Sequence, residues 1–228
     1  MTALVRSFAA TFLLLVPFAG LSQTQPTASE VSFHFEHPGL PVPMFTLTVD
    51  ETGTARYEAE EAATSRGAPD ADPPPTQHIS RTVTLSKAAT EKIFANARAL
   101  DRFNTACASK AKNIADTGSK TLHYSGYGGD GSCTYNFSEN KRVVVLTELF
   151  TGIARTLDVG RRLDFQHRFD RLGLDATIAS LAEEVDAGRA VEVSVITPTL
   201  RSLADDGDLL QRVRQRAARL LQAAQSPS

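Results

Sequence analysis

Between residues 31 and 59 the chain alternates apolar and polar positions with a period of two. Val31, Phe33 and Phe35 alternate with Ser32, His34 and Glu36, and Phe45, Leu47 and Val49 alternate with Thr46 and Thr48. Strict alternation predicts strands with one buried and one wet face. His37-Pro38-Gly39 and Pro41 to Pro43 break the chain between the first two strands, and Asp50 to Gly53 is a turn signal before a third strand at Ala55 to Ala59. Residues 60–76 are rich in Glu, Ala, Gly, Asp and Pro, too poor in apolar side chains to pack, and are expected to form a disordered loop. Strand pattern resumes at Ile79 with Val83 and Leu85, although Arg81 falls on the same side.

The period then changes. Ser86 is placed to cap a helix whose stripe is Ile93, Phe94, Ala97 and Leu100. Two strands follow near Lys120 to Ser125 and Cys133 to Phe137, joined by the glycine-rich Gly126 to Ser132. From Ser138, a candidate cap, the pattern is helical, with Leu146, Leu149, Phe150, Ile153 and Leu157 on one face. Leu163 to Leu172 predicts a short helix ended by Gly173. Asp175 opens a helix with Ile178, Leu181 and Val185 inside, and Pro198 opens another carrying Leu200 and Leu203. Asp206 and Asp208 are expected at the start of the last helix, whose stripe is Leu209, Leu210, Val213, Ala217, Leu220 and Leu221. The fold class expected is α+β: an antiparallel sheet with packed helices over residues 23–160, then a helical region over 161–225. No strand–helix alternation of the doubly wound kind occurs, which argues against a nucleotide fold.

The first residues change the picture of where this fold works. Arg6 supplies a positive start, Phe8 to Leu21 an apolar run, and Gly20 and Ser22 a small-residue exit, the pattern of a secretory signal peptide over residues 1–22. Pro17 interrupts the run, which is shorter than the roughly 20 residues that cross a bilayer. The expectation is an exported protein, periplasmic or extracellular, with no membrane span in the mature chain. Export decides how the two cysteines are read: Cys107 and Cys133 are expected to form a disulfide.

Composition narrows the partners. The net charge of −2 gives no general attraction to nucleic acid, and the absence of Trp with only 4 Tyr weakens nucleic-acid stacking and carbohydrate readings. No nucleic-acid partner and no cofactor are expected.

Two stretches carry resemblances. Phe45 to Tyr57 (FTLTVDETGTARY), then Val83 to Ser86 (VTLS) before a helix, an Asp-containing loop, a hairpin and another helix, resemble an uncharacterised family of bacterial envelope domains over residues 44–158. That resemblance implies architecture and no mechanism. Ile196 to Leu221 (ITPTLRSLADDGDLLQRVRQRAARLL) resembles one HEAT-type helical repeat unit through Leu200, Leu203, Asp205-Asp206, Val213-Arg214, Ala217 and Leu220. It implies an interaction surface; an ordinary helical hairpin carries the same pattern.

Motifs for chemistry are sparse. Asp116-Thr117-Gly118-Ser119 matches the aspartic protease signature, in which two carboxylates share a proton. A single copy requires a homodimer, and a turn entering a strand accounts for the same residues. Asp116 and His123 are the residues a hydrolase reading names first. Ser109 to Lys112 fits Ser-x-x-Lys and Ser138-Glu139-Asn140 its second element, but no Lys-Thr-Gly follows. His34, Glu36 and His37 have metal-ligand chemistry but place only two groups on one strand face. Arg212, Arg216 and Arg219 give the last helix a cationic face suited to an anionic partner, or to solvent. The reading this supports is a non-enzymatic binding protein whose partner is another protein or an envelope component. The alternative is an extracytoplasmic hydrolase.

Overall fold

A computed structural model describes residues 28–62 and 76–225. The expected signal peptide, and all of the expected loop except its ends, lie outside the described residues.

Six strands form one antiparallel sheet. They are β1 (Glu30–Glu36), β2 (Met44–Asp50), β3 (Thr54–Ala62), β4 (Thr76–Thr84), β5 (Ser119–Ser125) and β6 (Gly131–Tyr135), in the spatial order β4-β3-β2-β1-β5-β6. The period-two pattern sets the register. Val31 faces Val49 and Tyr124, and Phe33 faces Leu47 and Leu122, so the alternating apolar positions fall on one side; Met44, paired with Glu36 and Glu60, lies on the other. The opposite side is polar, with His34, Thr46 and Thr121 in one cross-strand row. β3 and β4 reach further than expected, since Glu60, Glu61 and Ala62 pair with His78, Gln77 and Thr76. Polar residues suit this ladder because its outer face meets water, and Glu60 also bonds His78 at 3.0 Å.

Two helices cover the apolar side. α1 (Lys87–Ala99) begins at Ser86, whose Oγ accepts the Ala89 amide at 3.1 Å, and buries Ile93, Phe94 and Ala97. α2 (Lys141–Phe169) is 29 residues long, about 43 Å at the helical rise. Asn140, not Ser138, caps it, accepting the Arg142 amide at 3.0 Å. α2 also runs through Arg161, so the two sequence regions share one helix, and residues 163–169 are its last turns rather than a separate helix. No proline stands in between, and α2 carries Gly160 within it. Gly152 and Gly160 are where the following chain crosses: added Cβ atoms would collide with Val191 and Ile196 respectively.

α3 (Leu174–Asp186), α4 (Thr197–Asp205) and α5 (Gln211–Gln225) complete the molecule. Asp206 ends α4 and does not open the last helix; its carboxylate accepts the Asp208 amide at 2.9 Å in the turn that follows. Buried residues fall into two clusters. One lies between sheet, α1 and α2 up to Leu157; the other joins Leu163 to α3, α4 and α5. The clusters are linked by α2 and by Glu192, whose carboxylate receives the Ser86 amide at 2.7 Å and hydroxyl at 2.8 Å.

α2 crosses the whole sheet obliquely. Thr147 meets Tyr135 on β6, and Phe150 stacks on Phe33 of β1 at 5.3 Å. Asp158 accepts from Tyr57 of β3 at 2.9 Å, Arg161 bonds Glu61 at 2.6 Å, and Asp164 pairs with Arg81 of the edge strand β4 at 3.7 Å. Arg81 thus faces the covered side because α2 supplies its counter-charge. Among the described residues no strand lies beyond β4, and α2 runs past Asp164 to Phe169.

Candidate functional site

Asp116 lies in the loop entering β5. Its Oδ1 accepts the Gly118 amide at 2.9 Å, a local Asx turn. Gly118 has φ +86, and a Cβ there would strike Phe35 and His37, so only glycine fits this crossing. Thr117 is pinned to Asn136 through its amide at 2.7 Å and hydroxyl at 2.9 Å. Beneath them the buried Lys120 ammonium donates to the carbonyls of Thr117 (2.8 Å), Gly118 (2.9 Å) and Asn136 (2.9 Å), and lies 5.5 Å from the Phe35 ring centre. Burial lowers the Lys120 pKa, against a smaller opposing pull from Asp116. Lys120 ties the loop to β5, and the remaining bonds hold the loop to itself and to Asn136 just after β6. An open cleft of about 610 Å³ adjoins it, lined by Glu36, His37, Asp116, Ser119, Tyr135 and Asn136.

His123 is elsewhere. It stands on the open polar face of β5, with Nε2 3.1 Å from Asp130 of the following hairpin. Four strand residues, about 13 Å, separate Ser119 from His123, so Asp116 and His123 do not form one constellation. Ser109 donates to the Glu139 carboxylate at 3.0 Å, linking the two parts of the Ser-x-x-Lys pattern without the lysine. His34 bonds Thr46 at 2.9 Å, and no group of three or more His, Cys, Asp or Glu suited to a metal occurs among the described residues.

Cys107 and Cys133 lie at disulfide distance, with Cα atoms 5.8 Å apart. They join the loop after α1 to the central residue of β6.

Of the α5 arginines, Arg212 and Arg216 converge on Asp175 of α3 at 2.8 and 2.6 Å. These two bonds hold Asp175 below its usual carboxylate range. Much of the expected cationic face is therefore spent within the helical layer; Arg219 is exposed.

The feature sequence reading missed is the corner where α2 leaves the sheet. Phe165, Phe169 and Leu172 are 57%, 73% and 96% exposed. Phe165 follows Arg161 by one turn, on the stripe that faces the sheet further back. With no described strand to cover it, that stripe is open to water. The two rings touch each other at 5.2 Å between centres. Arg162, Arg168 and Arg171 surround them and are exposed. The signal was present as Phe165 and Phe169 four apart among arginines, but the assumed short helix gave no reason to turn them outward.

A buried polar network anchors the base of this corner. Burial raises the Asp158 pKa, opposed by the Tyr57 hydroxyl and Arg161, and burial together with Asp158 pushes the Tyr57 phenol up. Arg161 in turn bonds Glu61 at the end of β3. This fixes the last turns of α2 relative to the sheet edge.

No protein-family model matches the chain, and no curated protein matches it at a significant level.

Proposed function

We propose that the protein is exported and binds a component of the cell envelope through the α2–α3 corner, acting by contact and not by catalysis. The observation that carries this is the exposed Phe165, Phe169 and Leu172 at and just after the end of a helix whose same stripe meets the sheet further back, at Thr147, Asp158 and Arg161. Exposing three large apolar groups together loses the gain of burying them, of order 1.5–3 kcal/mol each. A binding surface recovers that gain in the complex. Export is supported by the charged-then-apolar first 22 residues and by a cysteine pair suited to an oxidising compartment.

The test uses residues 23–228 of the chain incubated with isolated envelopes of the source cell. Retention of the unaltered protein, with at least tenfold weaker retention of Phe165→Ser/Phe169→Ser, is expected. Equal retention of the two proteins, or none of either, would reject this surface.

A further inference from the structure

We infer that the occupant of the α2–α3 corner is an anionic phospholipid surface. The inference rests on the binding reading above and names the partner of that same corner. Shape is the first argument. Leu172 stands in the turn after α2 at 96% exposure, and the Phe165 and Phe169 ring centres are 5.2 Å apart. Such exposure makes the three side chains a projection. A protein partner must supply a matching pocket for such a projection, whereas the boundary between headgroups and acyl chains yields to it.

Charge is the second argument. Residues 161–172 hold four arginines against two aspartates, in a chain whose net charge is −2. Arg161 is engaged with Glu61 and Asp164 with Arg81, which leaves Arg162, Arg168 and Arg171 against Asp170 in this span. Arg162 and Arg168 form no salt bridge among the described residues, and Arg171 reaches Asp206 only at 3.5 Å. Apolar rings at the tip with arginines around them match a bilayer interface in order of depth: rings at the acyl boundary, guanidinium groups among phosphates. No described helix is long and apolar enough to cross a membrane, so this contact is with the interface alone.

The test is co-sedimentation of the purified protein with vesicles of equal parts phosphatidylglycerol and phosphatidylcholine, and with phosphatidylcholine alone. Partition onto the anionic vesicles is expected to be at least tenfold stronger. Phe165→Ser/Phe169→Ser/Leu172→Ser is expected to reduce it at least tenfold, and Arg162→Gln/Arg168→Gln to reduce it and flatten its salt dependence. These side chains are exposed, so unchanged circular dichroism and melting are expected. Tyr127→Ser, 84% exposed in the turn between β5 and β6 at the opposite edge of the sheet from β4, serves as the control and is expected to bind like the unaltered protein. Equal binding by the triple-serine variant, or no preference for anionic vesicles, overturns the inference. If vesicles are not bound but envelope retention still depends on Phe165 and Phe169, the lipid assignment alone fails and a protein is the partner. If neither depends on the corner, the binding reading fails with it.

Discussion

At the scale of single residues, Lys120 shows how a motif and its chemistry part company. Its ammonium fills a cage of three carbonyls under the Asp-Thr-Gly turn. Lys120→Met leaves buried acceptors without donors, each costing about 1–3 kcal/mol. A loss of at least about 3 kcal/mol in urea denaturation is expected, from three carbonyls at the low end of that range. Asp116→Asn is expected to be close to neutral by the same measurement, because the Asn oxygen can accept the Gly118 amide as Asp116 does. Tyr57→Phe has a pH-dependent cost. The Tyr57 hydroxyl favours the charged form of Asp158, whose native pKa already lies above its ordinary value. Between those two values the native state holds the extra proton, so the Asp158 contribution falls as pH rises through the native pKa. Removing the hydroxyl deepens that fall. The variant is expected to lose about 1–3 kcal/mol at pH 7 and less near pH 4, read from denaturation at the two pH values.

At the scale of elements, strands were the most legible part of the chain. Val31 to Phe35 and Phe45 to Val49 alternate cleanly because one face is buried and the other wet, and both strands form where the pattern puts them. α2 was legible as helix but not as one helix. Gly152 and Gly160 give no sign in sequence that they serve close approach by Val191 and Ile196, and Gly173 suggested a stop for a helix assumed to be short. The corner was illegible for the same reason: whether Phe165 and Phe169 are covered depends on where the sheet ends, a long-range fact. The Cys107–Cys133 pairing, in contrast, followed from the expected export and from the count of two cysteines. Cys107→Ser/Cys133→Ser is expected to lose about 3–4 kcal/mol, the entropy of opening the loop, read as a lower urea midpoint. In the helical layer, Arg189 and Arg155 hold Glu184 down at about 2. A carboxylate with a depressed native pKa stabilises above its ordinary value, and that stabilisation is lost as pH falls from about 4.5 toward 2. Glu184→Gln is expected to flatten the acid limb of stability in this window, followed by thermal melts against pH.

At the scale of the molecule, the two clusters of buried residues are joined by a helix that touches β6, β1, β3 and β4 in turn and then leaves the sheet. The Tyr57–Asp158 and Arg161–Glu61 bonds aim its end, and the end carries the exposed rings. Position and exposure of the corner thus have one cause, the excess of α2 length over sheet width. The chain lacks Trp, so Phe169→Trp places a single indole reporter on this corner. The most direct measurement is the emission of that variant on titration with isolated envelopes. A blue shift that grows in step with co-sedimentation is the predicted result, since binding removes the corner from water. Co-sedimentation with an unchanged emission maximum would contradict the account, because the protein would then be held by some other surface.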